Sequence, residues 1–228
     1  MSAKLIKAIK FSLSTTDNVN KYFLFGDEHI LMYQVKNHCL KTLDIKLLEK
    51  FYIDIADENF DANLDQCLMS NSLFNEQKVV FLSLSKNRLN KELVERFKKI
   101  MAYETDNILI TEITNLSKKV IEKDIISKLD GDSCFIDCSS PYDSEIENYL
   151  KNNLPVFLNK NEHIKVLLEM YEGNFSALFN DLEILKILDI KEEKEAMTIF
   201  ISNGDKNNYK LIEHISNNES DSALSIIN

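Results

Sequence analysis

Short unbroken apolar runs alternate with amphipathic segments along the first 140 residues. The first run is Tyr22-Phe23-Leu24-Phe25, stopped by Gly26. Phe51 to Ile55, Val79 to Leu84, Ile108 to Ile113 and Phe135 to Cys138 follow. Between the runs, apolar residues recur three and four positions apart, the spacing of one helix face. Ile30, Leu31, Val35 and His38 set the first such stripe, and Asp27 is the expected N-cap of a helix beginning near Glu28. Further helices are predicted over residues 58–69 with Leu64, Cys67 and Leu68 inward, 89–101 with Leu93, Phe97 and Ile100 inward, and 116–129. A strand that is apolar at consecutive positions is covered on both faces, which is the habit of parallel sheets. Alternation with helices of 10–14 residues then predicts a doubly wound α/β domain with a five-stranded parallel sheet and helices on both faces.

The character changes at Ser139-Ser140-Pro141, because proline disfavours helix at the residue before it. Beyond it every segment has helical spacing: 142–154, 160–172, 175–188 and 192–201. Gly173 suits a left-handed position after the second of these. Ile164, Leu167, Leu168 and Tyr171 form one stripe, and Leu178, Leu182, Leu185 and Leu188 another. The expected organisation is an α/β domain over residues 1–140, a small helical bundle over 141–202, and the start of a third region over 203–228.

Composition narrows the chemistry. Of 228 residues only 4 are Gly and 2 Pro, few for a chain of this size. A phosphate-binding loop needs two glycines five apart and then Lys, and a dinucleotide fingerprint needs three within six residues. Gly26, Gly131, Gly173 and Gly204 satisfy neither spacing, so the chain is not expected to bind ATP or NAD by the usual loops; separately, no cofactor and no metal are assigned to it. The 27 basic and 37 acidic side chains leave a net charge of −10, which excludes a general nucleic-acid coat. Cys39, Cys67, Cys134 and Cys138 contain no CxxC pair and read as small core residues. The first residues lack a signal-peptide pattern and no apolar run reaches 18 residues, so the expected compartment is the cytoplasm.

Three clusters remain as candidates. Asp54, Asp57 and Glu58 could converge on metal ions, although acids before a helix also suit its dipole. Glu112 ends a strand with no lysine or second acid near it in sequence. Lys86, Arg88, Lys91, Arg96, Lys98 and Lys99 against Glu92 and Glu95 give a local net charge of +4, a solvated helix face or a contact for DNA phosphate. Ser72-Leu73-Phe74 places two large apolar residues in a polar turn, either folded back as a core plug or protruding as a wedge. Burying both in a partner is worth roughly 3–6 kcal/mol before association costs.

These segments together resemble the delta subunit of bacterial DNA polymerase III. The resemblance rests on Tyr22 to Glu28 with Leu31, on Ser72-Leu73-Phe74 ahead of Lys78 to Leu82, on Leu116-Ser117-Lys118-Lys119, on Cys138-Ser139-Ser140-Pro141, and on Glu172-Gly173-Asn174-Phe175 with Leu178, Glu183 and Lys186. It implies a degenerate AAA+ fold, RecA-like domain first and helical domain second, that has lost ATP binding and has no catalytic site of its own. Leu73 and Phe74, with Ser72 beside them, would bind the sliding clamp and open it. The gamma/tau and delta-prime subunits would complete the loader, which places the clamp on primed DNA for the polymerase, a nucleotidyltransferase, without any membrane. The family continues into a collar domain, of which residues 203–228 would be the start. The rival readings are a metal-dependent nucleic-acid enzyme using Asp54, Asp57 and Glu58, or a DNA-binding module using the basic helix with Arg88, Lys91, Arg96, Lys98 and Lys99. A delta-prime subunit is a third rival, but it would be expected to carry a zinc-binding cysteine cluster.

Overall fold

The computed structural model describes residues 4–11, 19–41, 49–69, 78–128, 132–188 and 190–203. The chain divides into two compact units, Met1–Ser140 and Pro141–Asn228.

The first unit is built on six parallel strands, one more than the apolar runs predict. They are β1 (Lys4–Lys7), β2 (Lys21–Phe25), β3 (Glu49–Asp54), β4 (Lys78–Ser85), β5 (Ile108–Thr114) and β6 (Cys134–Asp137), in the order β1-β6-β2-β5-β4-β3. Every neighbouring pair is parallel. The additional strand is β1, which reads Lys-Leu-Ile-Lys and lies at an edge. An edge strand has one neighbour and needs no continuous apolar run, so its pattern is weak. The central strand β2 is buried throughout, as is β6.

Four helices link the strands: α1 (His29–Lys41), α2 (Phe60–Met69), α3 (Lys91–Ala102) and α4 (Lys118–Asp124), the last followed by a 3-10 turn at Ile126–Lys128. Residues 116–129 are therefore not one continuous helix. One face of the sheet packs Phe23, Phe25, Val80, Leu82, Leu109, Ile113 and Phe135 against Phe60 and Leu64 of α2, Leu93, Phe97 and Ile100 of α3, and Ile121 of α4. Phe23 stacks on Phe135 at 4.7 Å between ring centroids and meets Phe97 at 6.2 Å, so three elements share one aromatic contact. The opposite face carries α1, whose Leu31, Met32, Val35 and Cys39 are buried. Lys36 of α1 pairs with Glu112 of β5 at 2.5 Å, the lysine partner that sequence spacing does not reveal for Glu112.

The second unit contains α5 (Asp143–Asn153), α6 (Asn161–Met170), α7 (Phe175–Ile187) and α8 (Glu193–Asn203). Glu145 accepts the Tyr142 N–H at 3.2 Å ahead of α5, and Asn174 accepts the Ala177 N–H at 3.1 Å ahead of α7, satisfying first-turn donors. Ile146, Leu150, Ile164, Leu167, Leu178, Leu182, Leu185 and Phe200 fill the core. Leu188 departs from the predicted stripe: it follows the end of α7 and is exposed. Gly173 takes the left-handed φ of +73°, but two residues beyond the α6 cap residue Tyr171 rather than directly after it. The Tyr171 hydroxyl donates to the buried Asp181 carboxylate and lies 3.1 Å from the Phe200 carbonyl. That hydrogen-bonded group links α6, α7 and α8. Among the described residues no helix is long and apolar enough to cross a membrane.

Candidate functional site

The apolar pair Leu73-Phe74, with Ser72, falls in residues 70–77, outside the described residues. The structure does describe what frames it. The segment leaves the C-terminus of α2 and enters β4 at its first residue, Lys78. Lys78 is buried, and its ammonium donates to the Cys67 carbonyl at 3.1 Å in the last turn of α2. Its backbone N–H donates to the Asn107 side chain at 2.9 Å. Lys21, at the start of β2, repeats the device by donating to the Met101 carbonyl at 2.6 Å at the end of α3. A cation at a helix C-terminus satisfies carbonyls left without intrahelical partners and opposes the helix dipole. Burial pushes the Lys21 ammonium below its ordinary pKa, against the pull of Asp132 and Glu104. Both lysines precede apolar runs in the sequence, and that position is the only cue to their role.

The opposite, C-terminal ends of the strands form the crevice where open α/β sheets receive ligands. A cavity of about 390 Å³ lies there, lined by Phe25, Gly26, Asp27, His29, Asn115, Ser117, Lys118 and Ser139 among others. Its chemistry is turned inward. Three residues, Gly26, Asp27 and Glu28, join β2 to α1. The Glu28 N–H donates to the Cys138 carbonyl at 2.9 Å, and the Asp27 carboxylate accepts the Ser140 N–H at 3.0 Å. Asp27 thus binds the neighbouring chain, and Glu28 rather than Asp27 precedes α1. The Lys118 ammonium bonds to buried Asp137 at 2.6 Å. Burial pushes the Asp137 carboxyl up, but Lys118 and Ser139 outweigh it and hold the group below its usual range.

The acids of the β3–α2 turn do not converge. Asp54 accepts the Ala56 N–H at 2.8 Å and Asp57 accepts the Asn59 N–H at 2.7 Å, which are local turn-forming bonds. Glu58 is exposed. Among the described residues no group of three or more His, Cys, Asp or Glu side chains could hold a metal ion. The metal-site reading of Asp54, Asp57 and Glu58 is corrected accordingly: Asp54 and Asp57 serve the local backbone and Glu58 is exposed.

The basic helix is corrected in part. Arg96 faces inward and is buried, its Nη1 donating to the carbonyls of Ile55 at 2.5 Å and Asp57 at 2.6 Å, its Nη2 to Glu92 at 2.6 Å. The guanidinium stands over the Phe60 ring at 5.3 Å. Lys98 pairs with Glu95 at 2.7 Å. Lys99 bridges Asp61 at 3.1 Å and Asp65 at 2.9 Å; burial alone would lower its pKa, and the two carboxylates raise it. Exposed basic side chains remain at Lys86 and Arg88, between β4 and α3, and at Lys91, the first residue of α3.

The four cysteines are buried thiols. Burial pushes Cys39 up to about 12 and Cys134 up to about 11, so both stay protonated at neutral pH.

Comparison with known proteins adds the following. The family model described as DNA polymerase III, delta subunit, matches residues 22–139, a little over half of the chain. No curated protein sequence matches. One solved structure that resembles the chain is a DNA polymerase III gamma-subunit-related protein from Thermotoga maritima. It is 11% identical, with a TM-score of 0.40, over 93% of this chain and 74% of that one.

Proposed function

Since this chain belongs to the family of DNA polymerase III delta subunits, a family of replication clamp-loader components, we propose that it binds the sliding clamp through Leu73 and Phe74 and opens it for loading on primed DNA. The observation that carries this is that the family match spans residues 22–139, a range that includes Ser72, Leu73 and Phe74. In sequence the pair lies between α2, whose last turn accepts the Lys78 ammonium, and β4 inside the sheet. A wedge needs such backing, because binding energy delivered at a loop tip is lost if the loop yields.

In this reading the chain is a degenerate AAA+ module that works without ATP and catalyses nothing itself. The crevice at the C-terminal ends of the strands supports that view. An incoming phosphate would meet the Asp27 carboxylate, a lysine already neutralised by Asp137, and a turn too short to wrap it. The ATP-driven gamma/tau subunits and delta-prime complete the loader, and DNA is reached through the assembled complex.

The test is clamp binding by the full chain, measured by biolayer interferometry, for wild type and for Leu73→Asp with Phe74→Asp. Losing the burial of both side chains weakens binding by roughly 10² to 10⁴-fold, with the far-UV CD spectrum unchanged. Retained affinity would exclude the wedge. Unfolding of the variant would mean that the pair is a core plug instead.

A further inference from the structure

We infer that the β2–α1 turn clasps the last residues of the first unit. It holds 138–140 in one path, so that the chain enters the second unit from a fixed point and shifts there only when the clasp opens as a whole. The boundary between the units falls between Ser140 and Pro141, and β6 ends at Asp137. Backbone groups beyond the end of a strand need new partners. The Cys138 N–H donates to the Phe25 carbonyl at 2.6 Å, and the Cys138 carbonyl accepts the Glu28 N–H at 2.9 Å. The Ser139 N–H donates to the Asp137 carboxylate and the Ser140 N–H to the Asp27 carboxylate, both at 3.0 Å. Pro141 has no N–H, and its ring restricts the backbone of Ser140. Every backbone donor from 138 to 141 is thus met by the protein itself.

The groups that meet them are themselves held. Asp137 is buried, and the oxygen that does not serve Ser139 lies 2.6 Å from the Lys118 ammonium of α4. Removing that cation would leave a buried carboxylate without its counter-charge. On the other side, Gly26 takes φ +136°, and an added Cβ would fall on the Cys138 carbonyl and the Ser139 amide. The turn therefore lies directly against the chain that it holds.

Two features make these contacts one clasp rather than separate caps. Asp27 and Glu28 are consecutive, and their partners Ser140 and Cys138 flank Ser139, which Asp137 holds. Loss of one bond lets its neighbours tilt away with it, because hydrogen bonds that share a short stretch of backbone are coupled. The second feature is position. Gly26, Asp27, Lys118 and Ser139 line the cavity of about 390 Å³ at the C-terminal ends of the strands, where open α/β sheets receive ligands. The carboxylate and the ammonium that line it are engaged with the chain's own junction, at Ser140 and at Asp137. This inference does not depend on the clamp-binding reading, and neither falls with the other.

Amide hydrogen exchange, followed by NMR on the full isotope-labelled chain, tests it. Asp27→Ala is the main variant, because Asp27 is exposed and its loss spares the core. In the wild type the Ser139 and Ser140 amides are protected. In Asp27→Ala both exchange roughly 10-fold faster, although only Ser140 is bonded to Asp27. Exchange in β2 and β5 stays unchanged, which marks the opening as local. Asp27→Asn keeps an acceptor oxygen and returns both amides to near wild-type rates. Lys118→Met releases the same two amides from the α4 side. Proteinase K cleavage within 138–142 rises in parallel with the exchange rates. Unprotected amides in the wild type, faster exchange at Ser140 alone, no change at either residue, or equal effects of Asp27→Asn and Asp27→Ala each overturn the proposal.

Discussion

Gly26 sits where the backbone of β2 turns toward α1 with φ +136°, a conformation that L side chains rarely adopt. It also touches its neighbour so closely that an added Cβ would fall on the Cys138 carbonyl and the Ser139 amide. Gly173 shares the positive φ but has open space around it. The two glycines therefore separate strain from collision. Gly173→Ala is expected to cost about 1–2 kcal/mol for the backbone conformation alone. Gly26→Ala adds displacement of packed backbone, a further 1–3 kcal/mol or so. Urea denaturation of both variants checks the order, and a Gly26→Ala chain as stable as Gly173→Ala would contradict the close approach. The sequence marks Gly26 as the end of an apolar run. It says nothing of the Cys138 carbonyl, which lies just past the end of β6, more than a hundred residues away.

Arg96 illustrates what an element's pattern can and cannot reveal. The stripe of Leu93, Phe97 and Ile100 orients α3 correctly, and all three are buried. Arg96 precedes Phe97 and lies on the flank of that stripe, where a long side chain can bury its stem and carry its head to a distant acceptor. Composition counts it as surface charge, whereas the fold uses it to tie α3 to the β3–α2 turn. Arg96→Met leaves the carbonyls of Ile55 and Asp57 without this donor, a cost of about 1–3 kcal/mol, which lowers Tm by several degrees. Differential scanning calorimetry reads this directly, and an unchanged Tm would mean that water replaces the guanidinium. The edge strand β1 escaped prediction for a related reason. Pattern registers how much of an element is covered, and an edge strand is covered least.

At the scale of the molecule, charge decides more than any single basic helix. The net charge is −10, and among the described residues the exposed cations of the basic segment with no salt bridge are Lys86, Arg88 and Lys91. Phosphate neutralisation needs several cations in a row. The isolated chain is accordingly expected to show no saturable binding to duplex DNA at physiological salt, as measured by fluorescence anisotropy. Affinity in the nanomolar range with a steep salt dependence would restore the basic-helix reading. The sequence by itself determined the parallel α/β unit, its helical successor and the absence of a glycine-rich phosphate loop. Each follows from local spacing, since burial on two faces or one stripe is written in consecutive side chains. The pairing of Lys36 with Glu112, the inward turn of Arg96 and the sealing of the β2–α1 turn by Cys138 were decided only by the tertiary structure. These depend on which strands become neighbours, and strand order is set by packing of the whole sheet rather than by any segment alone.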